Sequence, residues 1–161
     1  MKSKYLLLLA SLLALPINAL EIYPQVSSTI TNIKAVGSEV SQGEILIELD
    51  DRQAQLKLQY LKAILSIKQQ GFDDAKLHLQ QTQELYDRLV ASHRDLEDAQ
   101  LDFNAKQREL EVQQLKISIQ EIELEKYQIR APINASIDTI PNPRNTTNAQ
   151  NPKVLMILQA Q

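Results

Sequence analysis

Between Asp51 and Val90 the inward positions recur by four and three without a slip: Ala54, Leu58, Leu61, Leu65, Lys68, Phe72, Ala75, Leu79, Thr82, Tyr86 and Leu89. Only Lys68 and Thr82 are polar. A second run, wetter but equally regular, follows through Leu96, Ala99, Phe103, Lys106, Leu110, Gln113, Ile117, Gln120, Leu124 and Tyr127. A sustained four-three spacing is a heptad seam, so the pattern predicts two long helices. Each would extend about 50–60 Å at 1.5 Å per residue.

Between the runs, Ser92 followed three residues later by Asp95 reads as a capping box that starts the second helix. The connection is then two or three residues, which forces the helices antiparallel. The competing arrangement is one uninterrupted helix pairing with a second chain. The cap, and the change of seam phase across it, favour the hairpin. Gly71, inside the first helix, costs about 1 kcal/mol against alanine. It either admits the partner helix closely or is a neutral flexible point.

The second helix carries another four-three series on a different side: Leu101, Ala105, Arg108, Val112, Leu115, Ile119 and Ile122. A lone hairpin would leave that stripe in water. Two readings compete. One is the ordinary width of a core-facing stripe. The other is lateral packing of Leu101, Val112, Leu115, Ile119 and Ile122 on a neighbouring subunit.

Outside the helical stretch the period changes to two. In "AVGSEVSQGEILIELDD" (35–51), Ile45, Ile47 and Leu49 alternate with Leu46 and Glu48 after the glycine turn at Gly43, which predicts a short strand. Beyond the hairpin, "YQIRAPINASIDTI" (127–140) alternates at Ile133, Ala135 and Ile137. The Pro- and Asn-rich stretch "PNPRNTTNAQNP" (141–152) reads as a loop, and "KVLMILQ" (153–159) as a last strand. The first strand's partners are expected near 129–137, with the helical hairpin inserted between the two halves of one small sheet structure. The fold class is therefore α+β, organised as 1–19, 20–50, 51–127 and 128–161.

The first of these segments is an export signal. Lys2 and Lys4 precede the apolar run "YLLLLASLLAL" (5–15), Pro16 breaks it, and "INA" (17–19) ends on a small residue fit for cleavage. The apolar run is well short of the roughly 20 residues that span a bilayer. Removing it with its two lysines takes the formal charge from −3 to −5, and an exported chain leaves the cytoplasm.

Composition narrows the chemistry. A pI near 5.4 offers no basic footprint for nucleic acid. Cysteine is absent, which excludes disulfides and thiolate metal sites. His78 and His93 lack companions at ligand spacing, and no phosphate loop, nucleophile elbow or catalytic carboxylate pair stands out. No catalytic, metal or cofactor residue is assigned, and the protein is not expected to be an enzyme. Glu109, Glu111, Glu121, Glu123 and Glu125 read as solvated helix faces.

"VGSEVSQGEILIELD" followed by "IRAPINASI" resembles the two halves of a lipoyl or biotinyl domain. Their division by a heptad hairpin resembles the periplasmic adaptor subunits, or membrane fusion proteins, of efflux pumps and type I secretion systems. The resemblance covers nearly all of 26–158. It implies a lipoyl-like β-sandwich turning at Gly37, Gly43 and Pro132. It also implies a hairpin tip that docks on an outer-membrane channel. At that tip Arg88 and Leu89 match the family's start, whereas Ser92 comes too early because the tip is shorter. Asp50, Asp51 and Arg52 stand where lipoyl domains keep their modified lysine, so no cofactor is expected. Ala135 replaces the family's usual glycine.

The partners implied are an outer-membrane channel protein and an inner-membrane transporter, met directly or through a full-length adaptor. A homo-oligomer or mixed ring is implied as well. Adaptors usually continue into a β-barrel and a membrane-proximal domain, to which no segment up to Gln161 corresponds, so the expectation is a reduced adaptor. The alternative is a stand-alone structural or interaction protein, or a remnant without a transporter.

Overall fold

The computed structural model describes residues 19–141 and 143–160. Apart from Ala19, the expected export signal lies outside them. Among the described residues nine elements follow in order: β1 (Ala19–Ile22), β2 (Ile30–Ile33), β3 (Glu39–Val40), β4 (Ile45–Leu49), α1 (Arg52–Asp87), α2 (His93–Glu125), β5 (Gln128–Arg130), β6 (Ala135–Thr139) and β7 (Met156–Ala160). The strands form two antiparallel sheets, β1-β7-β6-β3 and β2-β4-β5. Together they make a small sandwich, and the helices leave it as a hairpin between β4 and β5.

The two halves are stitched to each other at both glycine turns. Gly37 and Gly43 each adopt φ 84°, the left-handed value that the third position of a type II turn requires. The N–H of Gly43 donates to Ala131 at 2.7 Å, and that of Ala131 returns to Glu44 at 2.8 Å. The pattern repeats where Gly37 donates to Ile137 and Ile137 to Ser38. Pro132 follows immediately on the first of these contacts. The core between the sheets is Ile22, Val40, Leu46, Ile47, Leu49, Ala131, Ala135, Ile137, Leu155, Met156 and Leu158. Ala135 is completely buried there.

Several strand expectations need correction. The segment from Gln128 to Thr139 is not one partner for β4. Only Gln128–Arg130 pairs with it, while Ala135–Thr139 crosses to the other sheet between β3 and β7. The other neighbour of β4 is β2, whose pattern is too short and polar to declare a strand. The alternation along β4 also fails, because Leu46 and Ile47 are each only 1% exposed. The β4–β5 register shifts between Ile45 and Ile47, and a bulge at this point brings two successive side chains inward. Ile133 lies in the turn before β6 and is exposed.

The hairpin seam agrees closely with its heptads. Ala54, Ala75, Thr82, Ala99, Leu110, Gln113, Ile117 and Gln120 are buried, and Phe72 meets Phe103 with ring centroids 5.3 Å apart. The two polar buried amides are hydrogen-bonded, Gln113 to the carbonyl of Leu61 and Gln120 to that of Ala54. Lys68 reaches Glu109 at 2.6 Å and Lys62 reaches Glu121 at 3.3 Å. Gly71 serves no close approach: a Cβ built on it would meet only Lys106 Cδ, at 4.0 Å.

At the root, the N–H of Leu49 donates to Tyr127 and that of Asp50 to Thr29, while Ser28 Oγ donates to the carbonyl of Asp50. Asp50 in turn accepts from the Arg52 backbone and guanidinium. Both legs of the hairpin are therefore fastened to the sandwich.

Candidate functional site

The exposed end of the hairpin is built by two opposed caps. Helix α1 ends at Asp87, earlier than its seam suggests, so five residues, 88–92, join the helices where two or three were expected. The N–H of Val90 then bonds back to Leu85 and that of Leu89 to Tyr86, the paired bonds of a Schellman motif. That motif needs a left-handed residue after the cap, normally glycine. Here it is Leu89, at φ 59°. Leu89 is consequently not a seam residue: it is 93% exposed. Val90 beside it is 71% exposed, and Arg88 is exposed too.

Helix α2 begins with the expected capping box. The Asp95 N–H donates to Ser92 Oγ, and the Ser92 N–H donates to the Asp95 carboxylate at 2.8 Å. The Ser92 hydroxyl, which donates to the same carboxylate at 2.7 Å, and then the Ser92 N–H hold the Asp95 carboxyl below its ordinary range. Ser92 is thus occupied in shaping the turn, while Arg88 and Leu89 are presented to solvent. His93 lies against Tyr86, ring centroids 6.1 Å apart.

The lateral residues take the position the seam spacing assigns them. Leu101, Val112, Leu115, Ile119 and Ile122 are all at least half exposed, so the stripe is not the flank of the hairpin core. Each stands two positions after a seam residue, about 200° round the helix at 3.6 residues per turn, and so faces away from α1. The sequence reading missed an equivalent set on α1. Leu56, Tyr60, Ile67 and Leu77 are exposed, and they too stand two positions after seam residues. The signal was present as another four-three series, hidden beneath a stronger one.

The remaining concavities among the described residues are open. One groove of about 600 Å³ runs between β1, the end of α2 and β5, lined by Tyr23, Ile122, Lys126, Arg130 and Pro132 among others. Among the described residues no three His, Cys, Asp or Glu side chains are grouped to hold a metal, and no helix is long and apolar enough to cross a membrane.

No protein-family model matches the chain, and no curated protein does. Solved structures do. The chain is similar to ZneB from Cupriavidus metallidurans, with a TM-score of 0.59, 19% identity, and 90% of this chain and 62% of that one covered. It is similar to a MacA–MexA chimeric protein containing the Pseudomonas aeruginosa MexA alpha-hairpin domain, with a TM-score of 0.58, 21% identity, and coverage of 89% and 48%. It is also similar to the membrane fusion protein Spr0693 from Streptococcus pneumoniae R6, with a TM-score of 0.58, 13% identity, and coverage of 89% and 61%. The chain thus spans about half to three-fifths of the length of these proteins. At such identities the likeness is one of fold: this chain has the fold of the membrane fusion proteins, a helical hairpin raised between the two halves of a lipoyl-like sandwich.

Proposed function

We propose that this protein is a periplasmic adaptor component of a tripartite efflux or secretion system. Its hairpin reaches an outer-membrane channel, and its sandwich belongs to the assembly around an inner-membrane transporter, met directly or through a longer adaptor. The observation that carries this reading is Leu89. A left-handed leucine is strained by about 1–2 kcal/mol relative to its right-handed form, yet this one packs on nothing in its own chain. Strain held at an exposed apolar residue has a reason when a partner covers that residue. Arg88 and Leu89 form the channel contact, and Ser92 fixes the turn that presents them.

Leu101, Val112, Leu115, Ile119 and Ile122 serve lateral association, which gathers several tips at one channel so that weak contacts add through avidity. The role is one of linkage rather than catalysis. Crosslinking in intact envelopes tests it. The wild-type chain is expected to capture an outer-membrane channel, and Leu89→Asp to lose it while retaining the circular dichroism of the wild type. A wild-type chain that captures no envelope protein would overturn the proposal.

A further inference from the structure

Residues 140–155, which join β6 to β7, contain no helix or strand among the described positions. Connections beyond about 12–15 residues are uncommon, and are either unstructured or carry a function. This one is tightly built. The N–H of Ile30 donates to Asn145 and that of Thr147 to Ser28, both at 2.8 Å. Thr147 is 7% exposed; its hydroxyl donates to the carbonyl of Val26 at 2.7 Å and accepts the N–H of Ser28 at 2.9 Å. Farther on, the N–H of Ala149 donates to Ser27 Oγ, and that of Leu155 to Ile22. Ser28 and Thr29 are themselves fastened to Asp50, so the loop stands on the sandwich beside the root of the hairpin.

The loop frames an open pocket of about 220 Å³, lined by Arg144, Thr146, Asn148, Asn151 and Lys153 among others. No acidic residue lines it, and residues 139–161 hold these two cations and no acidic side chain. Two other described concavities differ: Glu21 and Glu125 accompany Lys126 and Arg130 in the groove beside β1, and Glu44 and Glu48 accompany Lys34. Arg144 and Lys153 take part in none of the ion pairs among the described residues. Asn148 adds a donor. Its Oδ1 accepts the N–H groups of Gln150 and Asn151, which leaves its Nδ2 group to donate elsewhere.

We infer that this pocket binds a phosphate group. A guanidinium fork, an ammonium, an amide and the Thr146 hydroxyl are the donors that oxyanions take, and two positive charges match a dianion better than a single carboxylate. The volume lies below the roughly 300–1,000 Å³ of pockets that enclose a whole drug-sized ligand. It suits a phosphate head, with the rest of any ligand lying outside.

Phosphate binding does not depend on the adaptor role, and the purified protein tests it. Inorganic phosphate is titrated against chloride at equal ionic strength and followed by amide NMR. Saturable shifts are expected in residues 144–153 and in the facing residues 25–28. Arg144→Gln with Lys153→Gln should weaken binding about tenfold or more, the loss that removing charged hydrogen-bond donors brings. Both side chains are exposed, so circular dichroism should not change. Lys76→Gln with Lys116→Gln removes the same charge from exposed helix positions and should leave binding as it was. Tighter binding of a sugar phosphate, glucose 6-phosphate, than of inorganic phosphate would identify a soluble ester as the ligand. Tighter binding of vesicles of phosphatidic acid in phosphatidylcholine would identify a lipid head group, and neither would identify free phosphate. Absence of saturable shifts, or equal weakening by the helix variant, would overturn the site.

Discussion

The side-chain amide of Gln113 donates to the backbone carbonyl of Leu61 at 2.9 Å, and one heptad nearer the sandwich Gln120 repeats the contact on Ala54 at 3.2 Å. Both carbonyls belong to α1 residues whose helical hydrogen bonds do not depend on these amides. Replacing Gln113 by leucine therefore orphans no acceptor and adds apolar area of similar volume. The expected result is a gain of about 1 kcal/mol in urea unfolding. A loss of that size would show that the amide holds the hairpin together.

Gly71 is expected to be improvable. Its Cβ position is free to ordinary contact distance, and alanine in a helix interior is favoured by about 1 kcal/mol. Gly71→Ala should raise the melting temperature with unchanged circular dichroism. A fall would mean that α2 must come closer than the 4.0 Å contact with Lys106 indicates.

Leu89→Gly separates stability from partner capture. Glycine takes the left-handed conformation without steric strain, so the hairpin should gain about 1 kcal/mol. Recovery of a channel in crosslinked envelopes should nevertheless fall. A variant that gained stability and captured as well as the wild type would remove Leu89 from the contact.

Acid should weaken the protein through a small set of carboxylates. Arg52, by its guanidinium and backbone N–H, holds Asp50 down to about 2. Lys68 and then Lys106 hold Glu109 below its ordinary value, and the bond from Lys34 lowers Glu44. These groups favour the ionised, folded form. Their contribution is complete above the unfolded carboxylate range near 4 and is lost as pH falls through the folded values. Melting temperature should therefore be level above about pH 5 and decline below it, with Asp50→Asn flattening the most acidic part of the decline. A decline that begins near neutrality would point to other groups.

Hydrogen exchange tests the divided sandwich. Residues 45–49 and 128–130 are paired and should share one protection class, opening together under denaturant. Protection of the first segment with free exchange in the second would contradict the pairing.

The hairpin was legible in the sequence because a heptad seam repeats one physical requirement some twenty times, and a single irregularity hardly alters the pattern. The sandwich was legible only in outline. β2 and β3 are two to four residues long, below the length at which alternation can be told from chance. The bulge beside Leu46 turns that side chain inward with Ile47, which alternation does not allow. At the tip, Arg88 and Leu89 were singled out from resemblance alone, and the exposure of Leu89 was not foreseen. Its seam spacing continues past Asp87, where the backbone has already turned left-handed, and spacing alone cannot register a change of φ.

The long insertion also bears on the order in which the chain assembles. Arg130 Nη1 donates to the carbonyl of Gly43 across 87 positions, and closing an open loop of that length costs about 4 kcal/mol in chain entropy. The hairpin removes most of that penalty. Its seam contacts form by local zipping from a five-residue turn, and zipping delivers Asp51 and Tyr127 side by side at the root. For the strands beyond them the effective separation is then a few residues. A protein whose sheet looks remote in sequence should consequently fold at the pace of its helices, with β4 and β5 meeting last and quickly.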